Sequence, residues 1–212
     1  LERVVKNVSL SKYIDDTIVL TSKSKTDDEI VRLCVKKKIK YFRGPLKNVS
    51  LRYFQAIKKI KSKYFIRISS DSPFISHSLI NKLSKKAISG NYDIVTNTLK
   101  RSYPKGQSIE ILKNSVYLKN YLKFKKQDLE HVTKYILDHL AQFKTEMINV
   151  GLNPDYLKNI HLTVDDPEDI HLVKSIIEEL NDPWTFSSKD VLEVVQNKKT
   201  MFGTMRKEIC VE

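Results

Sequence analysis

The sequence has few of the residues that build cross-linked, repetitive or linker-like proteins. Its 212 residues include two cysteines, five glycines and six prolines. Cys34 and Cys210 are too few and too far apart for a disulfide framework or a zinc site, and they fit a reducing cytoplasm. Because glycine and proline are scattered, without a repeat or a Ser/Gly tract, we predict a single domain over residues 1–212.

Long apolar runs are also lacking. The sequence contains no 18-residue apolar stretch and no signal-peptide core, so it predicts neither a membrane span nor a secretion signal. Hydrophobic residues nevertheless make up 41% of the chain. A chain of this length and composition can bury one sizeable core. The sequence therefore predicts a globular protein.

Negative charge is in deficit. Lysine and arginine number 38 against 25 aspartate and glutamate residues, which gives a formal net charge of +13. Such a charge favours polyanionic partners, including nucleic acids and nucleotide phosphates. The lysines are spread over nearly every predicted helix, and no aromatic-basic signature of an RNA-binding module accompanies them. We therefore favour solvated helix faces over a nucleic-acid interface.

The first half of the chain alternates between short β-branched runs and amphipathic stretches. A helical apolar face begins at the first residue, and Thr26 is the predicted N-cap of the next helix. Strand and helix recur about every 25 residues, which predicts a parallel sheet with right-handed crossovers and an α/β fold. The predicted strands are 17–21, 39–42, 64–69 and 92–97, and the predicted helices are 1–11, 26–38, 49–61 and 77–88.

The rhythm changes after residue 97, where substrate-specific elaboration is plausible. Strands are predicted at 107–112 and 144–150, and helices at 115–124 and 129–140. A strand-turn-helix unit then follows at 160–180, with a last helix at 187–196.

Polar residues follow several of the predicted strands. In open α/β sheets ligands bind beyond the carboxyl ends of the strands, so these residues are the candidates for chemistry. Two of them, Asp71 and Asp165, lie in separate strand-helix units, and hard oxygen ligands suit a Mg²⁺ ion that bridges nucleotide phosphates. The alternative is that Asp71 and Asp166 only cap the helices that follow them. Asp166 and Asp169 fit that capping role, which leaves Asp165 without it.

Six strings in the chain resemble those of one enzyme family and occur in its order. They are YFRGPLKNVSLRYFQAIKK, YFIRISSDSPFI, YDIVTNT, SYPKGQSIEIL, LEHVTKYI and LTVDDPEDIHLVKSI. They are similar to the spore-coat-polysaccharide branch of the CMP-sugar-acid synthetase, or cytidylyltransferase, family, to which the enzymes activating 3-deoxy-manno-octulosonate and acylneuraminates are related. The resemblance extends from residue 1 to about residue 195.

The resemblance implies a GT-A-like, Rossmann-like nucleotidyltransferase domain, a three-layer α/β sandwich with a mostly parallel sheet. It also implies transfer of CMP from CTP to the anomeric hydroxyl of a sugar acid for surface polysaccharide or glycan synthesis, with Mg²⁺ and with release of pyrophosphate. Members of the family often form homodimers. Attack at the α-phosphorus requires charge neutralisation more than a protein nucleophile.

Individual positions match the family's functional residues. Asp71 and Asp165 match its two metal-binding aspartates. The residues matching the nucleotide pocket are Arg43, Gly44, Ser70 and Arg52. The residues matching the acceptor side are Tyr103, Pro104, Gly106, Glu110 and His131. For His131, a structural role in the core or at a helix end remains an equal alternative.

The sequence also departs from the family. The resemblance places an opening strand and a glycine- and arginine-containing triphosphate loop upstream of the residues given, so we expect this chain as given to show little or no transfer. Basic or neutral residues stand at positions that are usually acidic, namely Lys47, Asn48, Lys105 and Ser108, and Lys134 replaces a usual proline. Two alternatives therefore stay open: a non-catalytic nucleotide-fold module and, less favoured, a basic nucleic-acid-binding protein.

Overall fold

The computed structural model describes residues 1–99, 102–149, 157 and 160–197. Its first helix, α1 (Glu2–Ser9), buries Val4 and Val8, as the apolar spacing predicts. Asn7, on the same helix, donates to the carbonyl of Pro73 at 3.1 Å. The helix is thereby attached to the loop of residues 69–76.

A parallel two-stranded unit follows α1. Strands β1 (Ile18–Ser22) and β2 (Lys40–Gly44) pair in parallel through the crossover helix α2 (Asp28–Lys36). The β-branched run in β1 and the acidic first turn of α2 produce this unit as predicted. The predicted cap at Thr26 is wrong: a 3₁₀ turn precedes α2, and the Ser24 side chain accepts a hydrogen bond from the Thr26 N–H.

The second sheet has four strands. Strand β5 lies between β3 and β4 and runs antiparallel to both, while β6 pairs in parallel with β4. The α/β class is confirmed, but this sheet is mixed because β5 belongs to the region where the strand-helix rhythm changes. The strands are β3 (Tyr64–Arg67), β4 (Ile94–Thr96), β5 (Glu110–Lys113) and β6 (Thr145–Met147).

Helices cover the two sheets. Helix α4 begins after Ser76, whose side chain accepts from the Leu79 N–H, and ends at Asn91 in the left-handed conformation. Asparagine tolerates that conformation better than most residues. The bounds are α3 (Val49–Ile57), α4 (His77–Gly90), α5 (Asn114–Tyr121), α6 (Lys134–Asp138), α7 (Asp169–Glu179) and α8 (Ser188–Asn197).

Two predicted elements in the second half differ from the structure. The predicted helix at 129–140 is reduced to the five-residue α6. The predicted strand that opens the unit 160–180 is wrong for residues 160–165, which form only a single parallel bridge, between His161 and Lys105. The turn at Asp166-Pro167 directly afterwards limits the length of any strand here. The helix of that unit is present as α7.

Three apolar clusters form the core. One joins α1 and α4 to the four-stranded sheet, a second joins α3, β3, β5 and α5, and the third gathers α7 and α8 around Phe74. Cys34 is buried, and Cys210 lies outside the described residues. In the described part of the chain, no helix is long and apolar enough to cross a membrane.

An open trough separates the two sheets. Strands β1 and β3 both line a cavity of about 1050 Å³, together with apolar side chains of α1 and α3. Each of these strands has a hydrogen-bonded strand partner on one side, β2 and β5 respectively.

Candidate active site

The loop after β3 presents the first predicted metal ligand. Ser69 and Ser70 are exposed and line the rim of the trough, and Asp71 is half-buried. The Ser72 hydroxyl donates to Asp71 Oδ1 at 2.8 Å. Because Ser76 caps α4, Asp71 does not serve as that helix's cap. Its carboxylate is therefore available for another purpose.

The segment that carries Asp165 lies against this loop. The Val164 N–H donates to the Asp71 carbonyl at 2.8 Å, so the two predicted metal ligands belong to hydrogen-bonded segments. Asp169 Oδ2 accepts from the N–H groups of Asp165 and Asp166, at 2.8 and 3.0 Å. Asp169 is therefore the side chain that organises the start of α7. Asp165 contributes only its backbone N–H to this arrangement, so its carboxylate can interact with other groups.

The Asp165 carboxylate has two polar partners. Its Oδ2 accepts from Lys105 Nζ at 3.2 Å and from the Thr163 hydroxyl at 3.0 Å. These hydrogen bonds, first with Lys105 and then with Thr163, hold the pKa of Asp165 below its usual range. The carboxylate is thus fully ionised near neutral pH, as a metal ligand must be.

The loop of residues 103–106 is attached to the same segment. The Leu162 N–H donates to the Lys105 carbonyl at 2.9 Å. Gly106 adopts φ +97°, and a Cβ there would lie 2.6 Å from the Leu162 carbonyl. Only glycine fits this close approach at such a φ. Tyr103 is buried in the core, and burial raises its pKa to about 12.

An ion pair that the sequence did not reveal lies on the neighbouring strands. Arg67, the last residue of β3, donates to Glu110 Oε2 at 2.7 Å, and Thr133 donates to Glu110 Oε1 at 2.9 Å. The Glu110 side chain is 5% exposed and that of Arg67 35%. Burial lowers the pKa of Arg67, but the charges of Glu110 and, less strongly, Asp71 raise it overall. Glu110, predicted on the acceptor side, thus holds a cation near Asp71.

Arg67 could have been found from the sequence. An arginine ends the otherwise apolar string YFIR directly before the Asp71 loop. A charged residue at the carboxyl end of a buried strand is a site signal in this class of fold.

The two arginines predicted on the nucleotide side, Arg43 and Arg52, form hydrogen bonds with backbone carbonyls. Arg43 donates to the carbonyls of Ser22 and Ser24, both at 2.8 Å, and forms an ion pair with Asp28. Arg52 lines the trough and donates to the carbonyls of Pro45, Leu46 and Leu20.

Gly44 is required beside Arg52. A Cβ at Gly44 would lie 2.6 Å from Arg52 Cγ, so only glycine allows this packing. A nucleotide-binding role for Arg43, Gly44, Arg52 and Ser70 stays a prediction.

The remaining positions are more peripheral. His131 is exposed, and its carbonyl accepts from the Lys134 N–H at 3.0 Å. Lys47 is exposed, whereas Asn48 caps α3 by accepting from the Leu51 N–H at 2.8 Å. The structure does not bring His131 into hydrogen-bonded contact with the two aspartates. Its role as an acceptor contact stays a prediction.

The described residues contain no cluster of three or more His, Cys, Asp or Glu side chains that could enclose a metal. A magnesium ion does not need such a cage, because it commonly binds through one or two carboxylates, substrate phosphates and water. Asp71 and Asp165, as hard oxygen donors on hydrogen-bonded segments, fit that kind of site.

Comparison with known proteins decides the family. A cytidylyltransferase family profile matches residues 1–202, which is nearly the whole chain. The chain belongs to the cytidylyltransferase family. Membership of the cytidylyltransferase family agrees with the six strings. An uncharacterized protein of Methanocaldococcus jannaschii is 33% identical to this chain, over 81% of this chain and 70% of its own length.

Three other proteins, one relative and two solved structures, support the branch and the fold. The spore coat polysaccharide biosynthesis protein SpsF of Bacillus subtilis is 23% identical over 92% of this chain and 80% of its own length. A cytidylyltransferase structure from Leptospira borgpetersenii superposes with a TM-score of 0.86, at 24% identity, over 95% of this chain and 84% of that one. A CMP-2-keto-3-deoxy-manno-octonic acid synthetase complexed with CTP superposes with a TM-score of 0.57 at 12% identity, covering 84% and 87% of the two chains. The predicted family and fold are therefore confirmed.

Proposed function

We propose that this cytidylyltransferase transfers CMP from CTP to a sugar acid, for the synthesis of a surface polysaccharide or glycan, and releases pyrophosphate. The observation that carries the proposal is the hydrogen bond from Val164 to Asp71, which joins the two candidate metal-binding segments. CTP as donor is supported by the family, and a sugar substrate by the spore-coat relative. The sugar-acid acceptor rests on the resemblance of the six strings alone.

The proposed reaction needs charge neutralisation rather than a protein nucleophile. The acceptor hydroxyl forms a bond to the α-phosphorus of CTP, the bond to the β-phosphate breaks, and pyrophosphate leaves. Asp71 and Asp165 are the residues that would hold Mg²⁺, which supplies positive charge to the phosphate oxygens.

Arg67 adds a fixed cation beside that position. Glu110 restrains it, and Thr133 in turn donates to Glu110, so the Arg67 guanidinium needs little reorganisation when an anion arrives. Because the arginine remains 35% exposed, it is accessible to a ligand in the trough. Arg67 is therefore the residue that we add to those predicted from the sequence.

The test compares two neighbouring aspartates. Asp165→Asn removes the candidate ligand, and Asp166→Asn makes the same charge change at the next, exposed residue. Calorimetric titration of CTP with Mg²⁺, together with pyrophosphate release, is measured on this chain and on a chain extended upstream by the predicted glycine- and arginine-containing loop. We expect turnover in the extended chain, about 100-fold loss in Asp165→Asn, and little change in Asp166→Asn.

The outcome also separates the alternatives. CTP binding without turnover in either chain would favour a non-catalytic nucleotide-fold module. Strongly salt-dependent binding of DNA or RNA that CTP does not affect would favour the nucleic-acid-binding alternative. Equal loss of activity in Asp165→Asn and Asp166→Asn would contradict the assignment of Asp165.

A further inference from the structure

Lys105 places a positive charge on the carboxylate that we propose as a metal ligand. Its Nζ lies 3.2 Å from Asp165 Oδ2, and both side chains are nearly half exposed, at 45% and 42%. An exposed ion pair of this kind contributes little to stability, about 0–1 kcal/mol. Its effect on a charged ligand at the same oxygen is larger, because that ligand competes for the carboxylate directly.

The backbone keeps this lysine near the carboxylate. The Lys105 carbonyl accepts from the Leu162 N–H at 2.9 Å, and Lys105 forms a parallel bridge with His161. The next residue, Gly106, is in contact with the backbone of Leu162 and adopts a φ that favours glycine. Lys105 and Asp165 are therefore carried by segments that are joined to each other, and their pairing does not depend on long flexible loops.

A cation and a divalent metal at one carboxylate oxygen repel each other. From this geometry we propose that Lys105 is a tethered competitor of the metal: its ammonium group occupies Asp165 until the divalent ion displaces it. The proposal rests on the metal site of the proposed function. Because the metal must first displace this ammonium group, metal binding is weak without an anionic ligand. Once displaced, the ammonium group is free to contact an anion held beside the metal.

The experiment measures the binding of Mn²⁺ alone, by electron paramagnetic resonance of the free ion. Lys105→Met removes the charge and keeps an apolar stem, and Lys105→Arg keeps the charge. Lys40→Met is the matched control, because Lys40 forms an exposed ion pair with Asp16 at the start of β2, away from the carboxyl ends of the strands. Circular dichroism establishes that each variant is folded.

We expect Lys105→Met to bind Mn²⁺ about tenfold more tightly, because one unit charge within a few ångströms of a divalent ion is removed. Lys105→Arg and Lys40→Met should bind like the parent chain, and combining Lys105→Met with Asp165→Asn should abolish the gain. Unchanged or weaker Mn²⁺ binding in Lys105→Met would overturn the proposal.

The same measurement distinguishes failure of the competitor from failure of the metal site. If Asp71→Asn and Asp165→Asn weaken Mn²⁺ binding but Lys105→Met has no effect, the metal site stands and the competitor role is refuted. If neither aspartate variant changes Mn²⁺ binding, both the metal site and the role of Lys105 are refuted.

Discussion

The two sheets of this protein are stabilised in different ways. All three residues of β4 and the first three of β5 are buried, whereas only the last two residues of β1 and the last residue of β2 are. The middle strands β4 and β5 of the four-stranded sheet therefore gain their stability from burial on both faces, whereas β3 and β6 at its edges are less buried. The two-stranded unit faces the trough and solvent, and must be held by other interactions.

Arginine side chains supply those interactions. Arg43 joins the end of β2 to Ser22 and Ser24, and Arg52 of α3 reaches the Leu20 carbonyl in β1. Hydrogen bonds to charged groups contribute more than neutral ones, about 1.5–3 kcal/mol each before screening. A half-exposed strand pair beside an open trough can therefore keep its place through polar contacts to backbone carbonyls.

The largest expected difference between the sheets is in the free energy of unfolding that is lost when a leucine is replaced by alanine. Leu112→Ala in β5 removes a fully buried side chain and should reduce the free energy of unfolding by about 3 kcal/mol. Leu20→Ala in β1 removes a half-exposed one and should cost about 1 kcal/mol. Urea denaturation of the two variants measures both values, and equal losses would contradict the comparison.

Replacing a glycine by alanine tests how closely the 103–106 loop is packed against the segment that carries Leu162, and Gly44 in β2 serves as the comparison. Gly106→Ala forces a Cβ against the backbone of Leu162 at positive φ, and should cost about 2 kcal/mol. Gly44→Ala brings no strain from a positive φ, but its Cβ would lie 2.6 Å from Arg52 Cγ and 2.9 Å from Arg52 Cβ, so α3 must shift; we expect a cost of about 1 kcal/mol. Thermal unfolding of both variants provides the measurement. A Gly106→Ala variant as stable as the parent would show that the 103–106 loop can move away.

Much of the first half of the fold could be predicted from sequence. Periodicity located β1, α2, β2, α3 and α4 to within a few residues, because local propensity and burial agree there, although the cap predicted for α2 at Thr26 was wrong. The antiparallel direction of β5 could not be predicted, since an isolated apolar run such as IEIL fits either direction. Residues 160–165 form a single bridge to the distant Lys105 instead of the predicted strand. A local sequence pattern carries no information on such a distant partner.

The position of one candidate ligand could be predicted from the sequence, and that of the other only in part. Asp71 lies in the loop after β3, as predicted, whereas the strand predicted before Asp165 is reduced to a single bridge. The metal-binding role of both aspartates stays a prediction. Ser72 and Thr163 are local partners of the two aspartates, whereas Lys105 lies 60 residues from Asp165, and that contact could not be predicted from the sequence. The Arg67–Glu110 pair likewise requires the register of β3 against β5, which only the structure supplies.

The polar attachment of the two-stranded unit can be broken selectively. Arg52→Met keeps the apolar stem and removes the guanidinium bonds to Pro45, Leu46 and Leu20. We expect a loss of about 1.5 kcal/mol that is confined to the two-stranded unit. Native-state hydrogen exchange should show faster exchange of β1 and β2 amides and unchanged exchange in β4 and β5. Uniform acceleration would mean that the sheets unfold together.

Asp27 should give the smallest effect, and one that depends on pH. Its Oδ2 accepts from the Thr21 hydroxyl and the Ser22 N–H, both at 2.9 Å. Hydrogen bonds with Ser22 and then Thr21 lower the pKa of Asp27 from 3.8 to about 2. Because the folded-state pKa is the lower one, the ionised carboxylate stabilises the fold above the unfolded-state pKa, and this stabilisation disappears as the pH falls towards about 2.

Asp27→Asn tests this contribution by removing only the charge. Since the group is partly exposed, solvent screening reduces the expected loss to about 1 kcal/mol at neutral pH. The stability difference between the variant and the parent should shrink between pH 4 and pH 2 in urea titrations. Asp16→Asn, which changes the charge of an aspartate paired with Lys40, is the control for net charge. A difference that stays constant over this range would show that Asp27 acts through packing, and that the β1–β2 unit does not depend on its charge.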